Sequence, residues 1–212
     1  VSALKLDDLE QDRGPWMQLH SGGRFFPLDP RAEDIKADDI ANGLALDCRY
    51  AGQGRVDRYY SVAEHCVHLA SYAIANDPHD PEFALLMLLH DAPEAFINDL
   101  NRATKKAVGE AYGRIEDNIH GAIFEKYHLN MTQELYERMK DLDRRIVPLE
   151  KAAIEPYPGA WHHPWAFDQF KNVALEGIII ECWSPEQAKK LWLWWLRALC
   201  IQTGRTIEGE RK

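Results

Sequence analysis

Seven consecutive apolar residues, Phe83 to Leu89, run directly into His90 and Asp91. A helix that is apolar all round has no face for water, so it belongs at the centre of a packed structure. An acid at its end is costly to bury unless it is paired or metal-bound. Pro93 kinks or ends the helix just after Asp91. Neighbouring helical residues diverge by roughly 100°, so His90 and Asp91 can flank one point only at a helix end, and Pro93 supplies that end. The fold must bury this helix and bring other elements to its polar tip.

The remaining chain reads as further helices. Asp34 to Leu46 has helical spacing at Ile35, Ile40, Leu44 and Ala45. Ser61 followed by Glu64 is a capping-box pattern, opening a helix that runs to about Asn76 before Asp77-Pro78 stops it. Pro81 opens the apolar helix at a position proline tolerates. Residues 104–128 read as one long amphipathic helix through Val108, Ile115, Ile119, Ala122 and Ile123, although Gly109, Gly113 and Gly121 weaken it. Residues 132–154 form another, with Pro148 as a kink point; 156–168 are a Pro/Trp/His-rich loop. Helices over 170–182 and 185–203 finish the chain, the second started by Ser184-Pro185. Residues 1–32 are irregular, and no alternating strand pattern or repeat appears. The class is all-α. With 212 residues and no Ser/Gly-rich linker, one domain over residues 1–212 is expected.

A net charge of -9 argues against a broad duplex-binding surface, which needs a basic excess. A small anionic substrate in a local basic pocket remains compatible with it. Cys48, Cys66, Cys182 and Cys200 contain no C-x-x-C pair and read as reduced thiols. The run Leu191 to Ile201 is too short for a bilayer and contains Arg197. No signal-peptide pattern is present, and the start at Val1 reads as a lost initiator Met or a trimmed end. A soluble, cytoplasmic protein is expected.

His65 and Asp143 lie in two other helical segments. With His90 and Asp91 they would make a nitrogen/oxygen site for one divalent metal, and a metal with open positions activates water. Taken singly, these are ordinary core histidines and a surface acid; the buried setting of Asp91 favours the joint reading. Glu94 falls four residues after His90, on its side of a helical turn. A carboxylate near an activated water suits proton transfer; its bland alternative is a solvated first-turn acid, and that of Asp99 is a helix cap. His68 is discounted as a fifth ligand, and Glu64 reads as the capping-box acid. His162 and His163 read as surface or interface residues, and Trp192, Trp194 and Trp195 as packing.

His65…His90-Asp91…Asp143 resembles the H…HD…D pattern of HD-domain phosphohydrolases. So does the context: Tyr60-Ser-Val-Ala-Glu-His65, Leu88-Leu-His-Asp-Ala-Pro-Glu94, Asp99-Leu and Asp143-Arg144-Arg145. The likeness covers roughly residues 24–155, with the C-terminal helices 170–203 packed on that core, and points to the branch of bacterial 5′-deoxynucleotidases and related phage enzymes. It implies a helical bundle holding one divalent ion (Mn, Co, Zn, Fe, Ni or Mg) on His65, His90, Asp91 and Asp143, with Glu94 and Asp99 acting on the attacking water. Lys105 matches the family's phosphate-binding lysine, with Lys106 its rival. Arg24-Phe25 resembles an Arg-aromatic pair that meets phosphate and sugar or base, with Phe in place of the bacterial Trp; a surface loop is the alternative. Of Arg144 and Arg145, one faces substrate.

The resemblance implies cleavage of the 5′ phosphoester of a deoxynucleotide. A monophosphate gives nucleoside and phosphate; a triphosphate gives nucleoside and tripolyphosphate. Phe25-Phe26-Pro-Leu-Asp-Pro30, Asp34-Ile35 and Asp39-Ile40-Ala41 look more like the phage branch, which favours a dATP triphosphohydrolase acting in a host cytoplasm. The alternatives are a 5′-deoxynucleotidase on dNMPs and a non-catalytic metal-binding regulator. Neither a stable nucleic-acid partner nor a membrane is expected, and a homo-oligomer is.

Overall fold

A computed structural model describes residues 13–209. Residues 1–12, part of the stretch read as irregular, lie outside the described residues, as does the start at Val1. The chain is mostly helical. A two-residue hairpin, β1 (Met17–Gln18) against β2 (Arg24–Phe25), precedes α1 (Ala37–Leu46), α2 (Val62–Asn76), α3 (Pro81–Leu89) and the short α4 (Glu94–Ile97). Then follow α5 (Arg102–Val108), α6 (Glu110–Lys126), α7 (Gln133–Ile154) and α8 (Pro185–Gln202).

Helix α3 is central. Every residue from Phe83 to Leu89 is buried, and α2 and α8 pack against it. Its N-cap Asp80 accepts from the Phe83 N–H with Pro81 at the first turn, which fixes where it starts. Trp192 of α8, fully buried, donates its indole N–H to the Leu88 carbonyl at 3.3 Å. Trp194, by contrast, is 59% exposed and meets Trp195 edge-on. Helix α1 packs on α4 closely enough that a Cβ on Gly43 would stand 2.5 Å from the Ala95 carbonyl oxygen. Glycine at 43 is therefore what lets α1 press on the turn carrying Glu94. One core cluster runs from Leu19 to Cys200.

Four sequence expectations need correction. The helix expected over 104–128 is two, broken at Gly109, whose φ of +72° ends α5 and redirects the chain. The helix expected over 170–182 is a 3₁₀ turn, Asp168–Val173, followed by irregular chain. Gly177 and Cys182 sit there at positive φ, and Leu175 and Ile180 reach the core without helical periodicity. The capping box at Ser61 is half formed: Ser61 accepts from the Glu64 N–H. The Glu64 carboxylate instead takes the N–H groups of Glu181, Cys182 and Trp183, pinning the C-terminal strap to α2. Finally, β1 and β2 form where no strand was expected. Among the described residues no helix is long and apolar enough to cross a membrane, and the four cysteines are free thiols.

Candidate metal centre

Three helices meet at the end of α3. His65 comes from the first turn of α2, His90 and Asp91 follow α3 directly, and Asp143 lies midway along α7. The Nε2 atoms of His65 and His90 stand 3.3 Å apart. Asp91 Oδ2 is 3.2 Å from His90 Nε2 and 3.5 Å from His65 Nε2, and Asp143 Oδ1 is 3.4 Å from His65 Nε2. His65, His90 and Asp91 form a group able to hold a metal ion.

The far nitrogen of each ring decides what the near one offers. His90 Nδ1 lies 2.7 Å from the Met87 carbonyl, which can only accept, so Nδ1 carries the hydrogen. His65 Nδ1 lies 2.6 Å from Glu150 Oε1 and donates likewise. In their neutral form, rings fixed this way present bare lone pairs at Nε2. Two lone pairs and the Asp91 carboxylate thus converge on a point that could take a cation, with Asp143 beside His65. Without a cation a proton takes that place on His65: burial and Arg49 oppose it, but Glu150 and Asp143 outweigh them and lift that ring to about 9. Burial likewise opposes ionisation of Asp91, yet His90, His65 and Arg49 hold its carboxyl well below the usual range.

Glu150 is fully buried and anchors the shell behind the ligands. It accepts from His65, from the Tyr60 hydroxyl at 2.8 Å, from the Tyr50 hydroxyl and from Arg49 Nη2 at 3.3 Å. Arg49 also reaches Asp91 at 3.5 Å. Tyr50 and Ala51 both adopt left-handed backbone, at φ of 58° and 52°, conformations costly for residues with a Cβ. The bonds of Arg49 and Tyr50 to Glu150 hold that turn in place.

The ligand group opens into a cavity of about 580 Å³. Asp91, Glu94, Asp99, Lys105, Asp143 and Arg144 all line it, so six expected site residues share one space. Glu94, buried at 5% exposure, meets Lys105 Nζ through Oε1 at 3.2 Å, while its buried Oε2 has no partner among the described residues. Burial, with Asp91 and Asp99 nearby, pushes its carboxyl well above the usual range. Asn98, at φ 62°, turns the chain after α4, and the Asp99 N–H donates to Asp47 Oδ2 at 2.6 Å. Lys105 lines the cavity and Lys106 does not. Arg144 lines it too, whereas Arg145 is drawn off to the Val173 carbonyl and Asp141.

No family model matches the chain. Two curated proteins do. Uncharacterized protein RCAP_rcc00048 of Rhodobacter capsulatus is 38% identical over 177 residues, covering 82% of this chain and 90% of that one. Uncharacterized protein YfdR of Escherichia coli (strain K12) is 32% identical over 146 residues, covering 66% and 77%. The chain belongs to their family. Its relationship to RCAP_rcc00048 spans most of both chains and therefore extends well beyond the ligand-bearing helices.

Two expected residues of this family member lie apart from the cavity. Phe25 is fully buried and stacks on Phe96 with centroids 4.0 Å apart, so it supports α4 from behind rather than meeting a ligand. The Arg24 guanidinium lies by the rings of Trp16 and Phe26, at 5.5 and 5.9 Å, and does not line the cavity. His68 is bound to Glu64 at 3.3 Å and packs on Trp183, which removes it from the ligand set. His162 and His163 are exposed. Sequence reasoning missed Arg49, Tyr50 and Glu150. Of these, only Glu150 carried a signal, seven residues and two turns after Asp143 on α7.

His120 of α6 is a further half-buried group, tilted against Phe124 at 4.1 Å between centroids, its buried Nε2 without a partner among the described residues. Burial, aided by His90, lowers its ring from 6.5 to about 4. The unfolded chain therefore takes up a proton that the folded chain refuses between those values, and stability falls as pH drops through that window. His120→Phe should escape this loss. Its stability relative to the parent is expected to rise by about 2 kcal/mol between pH 7.5 and pH 5, read by urea unfolding at both. A gap that stays constant with pH would show that His120 does not titrate in this window.

Proposed function

We propose that this chain is a metal-dependent phosphohydrolase of the HD-domain type, cleaving the 5′ phosphoester of deoxynucleotides. The observation that carries the reading is a free, buried carboxylate oxygen, Glu94 Oε2, in the cavity onto which the converged ligands Asp91 and Asp143 open. A purely structural metal site has no use for it.

His65, His90, Asp91 and Asp143 are the residues that would hold one divalent ion, of the Mn, Fe, Co, Ni, Zn or Mg group that such nitrogen/oxygen donors accept. When bound, that ion supplies positive charge to phosphoryl oxygens and acidifies water. Glu94 takes the proton of the attacking water at Oε2, while Lys105 on Oε1 keeps the side chain aimed. Asp99, fixed through its own N–H, orients the same water from the neighbouring wall. Lys105 offers a cationic contact to the phosphate, and Arg144 lines the same cavity. The 5′-oxygen of the nucleoside leaves. Free thiols are in keeping with a reducing cytoplasm, of a host cell if the gene is phage-borne.

The test is incubation with Mn²⁺ or Co²⁺ and, separately, dATP, dAMP, dGTP and dCTP. Tripolyphosphate released chiefly from dATP supports a dATP triphosphohydrolase; activity on monophosphates alone makes it a 5′-deoxynucleotidase. Glu94→Gln should lower kcat by about 10²- to 10⁴-fold with metal content unchanged. Undiminished turnover in that variant would remove Glu94 from the mechanism, and metal binding without turnover of any substrate would favour a regulator.

A further inference from the structure

Five cations line the cavity: Arg49, Arg102, Lys105, Lys140 and Arg144. They divide into two sets. Arg49 reaches Asp91 at 3.5 Å, Lys105 reaches Glu94 at 3.2 Å, and Lys140 reaches Asp143 at 3.8 Å, so these three are neutralised by the acids of the floor. Arg102 and Arg144 are exposed and have no carboxylate partner among the described residues. On a chain of net charge -9, with four acids lining the same cavity, two long cations would be expected to fold onto those acids. Arg102 is instead held off. Its guanidinium lies 5.3 Å from the Phe167 ring, a contact that orients the planar group without spending its donors. Phe167 is itself set in place by its neighbour Asp168, which accepts from the Trp165 N–H at 3.0 Å and pairs with Lys151 at 3.3 Å. Arg144 follows Asp143 on α7, so its side chain diverges from that ligand by roughly 100° and stands beside the metal-ligand group.

We propose that Arg102 and Arg144 form a second anion subsite at the cavity mouth, taking the phosphates that lie beyond the phosphoryl group held at the metal-ligand floor. The preferred substrate then carries a phosphate chain, not a single phosphate. The proposal rests on the phosphohydrolase reading for the floor, but the subsite can be measured without turnover. Guanidinium groups bind non-bridging phosphate oxygens in pairs, and two of them free of internal partners bind a polyanion with no ion pair to break first.

Two measurements test it, on the full chain and on Arg102→Ala, Arg144→Ala and Arg102→Lys. In the first, kcat/KM is determined for dATP and dAMP with Mn²⁺. The dATP-to-dAMP ratio is expected to fall at least tenfold in each alanine variant, through KM for dATP, and by less in Arg102→Lys. An unchanged ratio overturns the subsite while leaving the hydrolase in place. In the second, inorganic tripolyphosphate and orthophosphate are titrated calorimetrically in excess Mg²⁺. Tripolyphosphate should bind at least tenfold more tightly, with the advantage lost in the alanine variants; equal affinities, or an advantage the variants retain, overturn the proposal. If the parent chain turns over no nucleotide, the hydrolase reading fails and the calorimetry alone decides the subsite.

Discussion

If the proposed metal-dependent hydrolysis holds, Asp91→Asn is expected to abolish metal loading and, with it, turnover. Asp91 Oδ2 is the one oxygen close to both imidazoles, 3.2 Å from His90 Nε2 and 3.5 Å from His65 Nε2. Asparagine keeps the shape but removes the charge that balances a divalent ion. Losing an outer partner of a metal ligand typically costs about 10- to 100-fold in affinity, and loss of a ligand itself should exceed that. Metal content by elemental analysis should fall from about one ion per chain to a trace under the same loading, and turnover should follow occupancy. The fold should survive, because the asparagine carbonyl still accepts from Arg49 and the α3 core does not involve residue 91. A folded variant that loads metal like its parent would remove Asp91 from the ligand set.

What could be read from the sequence was local. The apolar run Phe83–Leu89 demanded burial, and Pro93 stopped it, so the position of His90 and Asp91 at a buried helix end followed from neighbours alone. The same holds for the caps at Ser61 and Ser184, where hydroxyl oxygens accept from N–H groups three residues on. Long-range competition defeated the rest. Glu64 had a local partner in the capping box, but three N–H groups more than a hundred residues away won its carboxylate. Tyr50 and Ala51 hold left-handed backbone without a glycine at either position, and Gly52 after them marked only a loop, so nothing singled out Arg49 or Tyr50 as site residues. The stretch 170–182 was expected to be helical, yet past the 3₁₀ turn its apolar residues Leu175 and Ile180 enter the core from irregular chain, with Gly177 at positive φ between them. Phe25 matched an aromatic position of a substrate site, and its packing on Phe96 was invisible until α4 was placed behind it.

Glu150 is where such long-range competition should cost most to disturb. Its carboxylate gathers Arg49, Tyr50, Tyr60 and His65, all brought from elsewhere in the chain. Burial disfavours its charge, but Arg49 and His65, with the hydrogen bonds from His65 and Tyr50, hold its carboxyl well below the ordinary 4.5. A carboxylate depressed in the folded state adds stability above its unfolded pKa, and that contribution fades as pH falls below it. At neutral pH the contribution is complete. Glu150→Ala would leave a buried guanidinium, an imidazole N–H and two hydroxyls without their acceptor, at a cost of about 3–5 kcal/mol. Glu150→Gln keeps the volume and one acceptor oxygen, and should cost less, about 1–3 kcal/mol. Glu150→Ala frees His65 Nδ1, and Glu150→Gln leaves it one uncharged oxygen contested by Arg49, Tyr50 and Tyr60, so the ring is held less firmly with its lone pair toward the site, and metal affinity should drop about 10- to 100-fold. Urea unfolding without metal reads the first effect, and metal titration of the glutamine variant reads the second. The stability gap between parent and Glu150→Gln should narrow on acidification below pH 4.5. An alanine variant within about 1 kcal/mol of its parent would mean that the Glu150 cluster adds little to holding the site together.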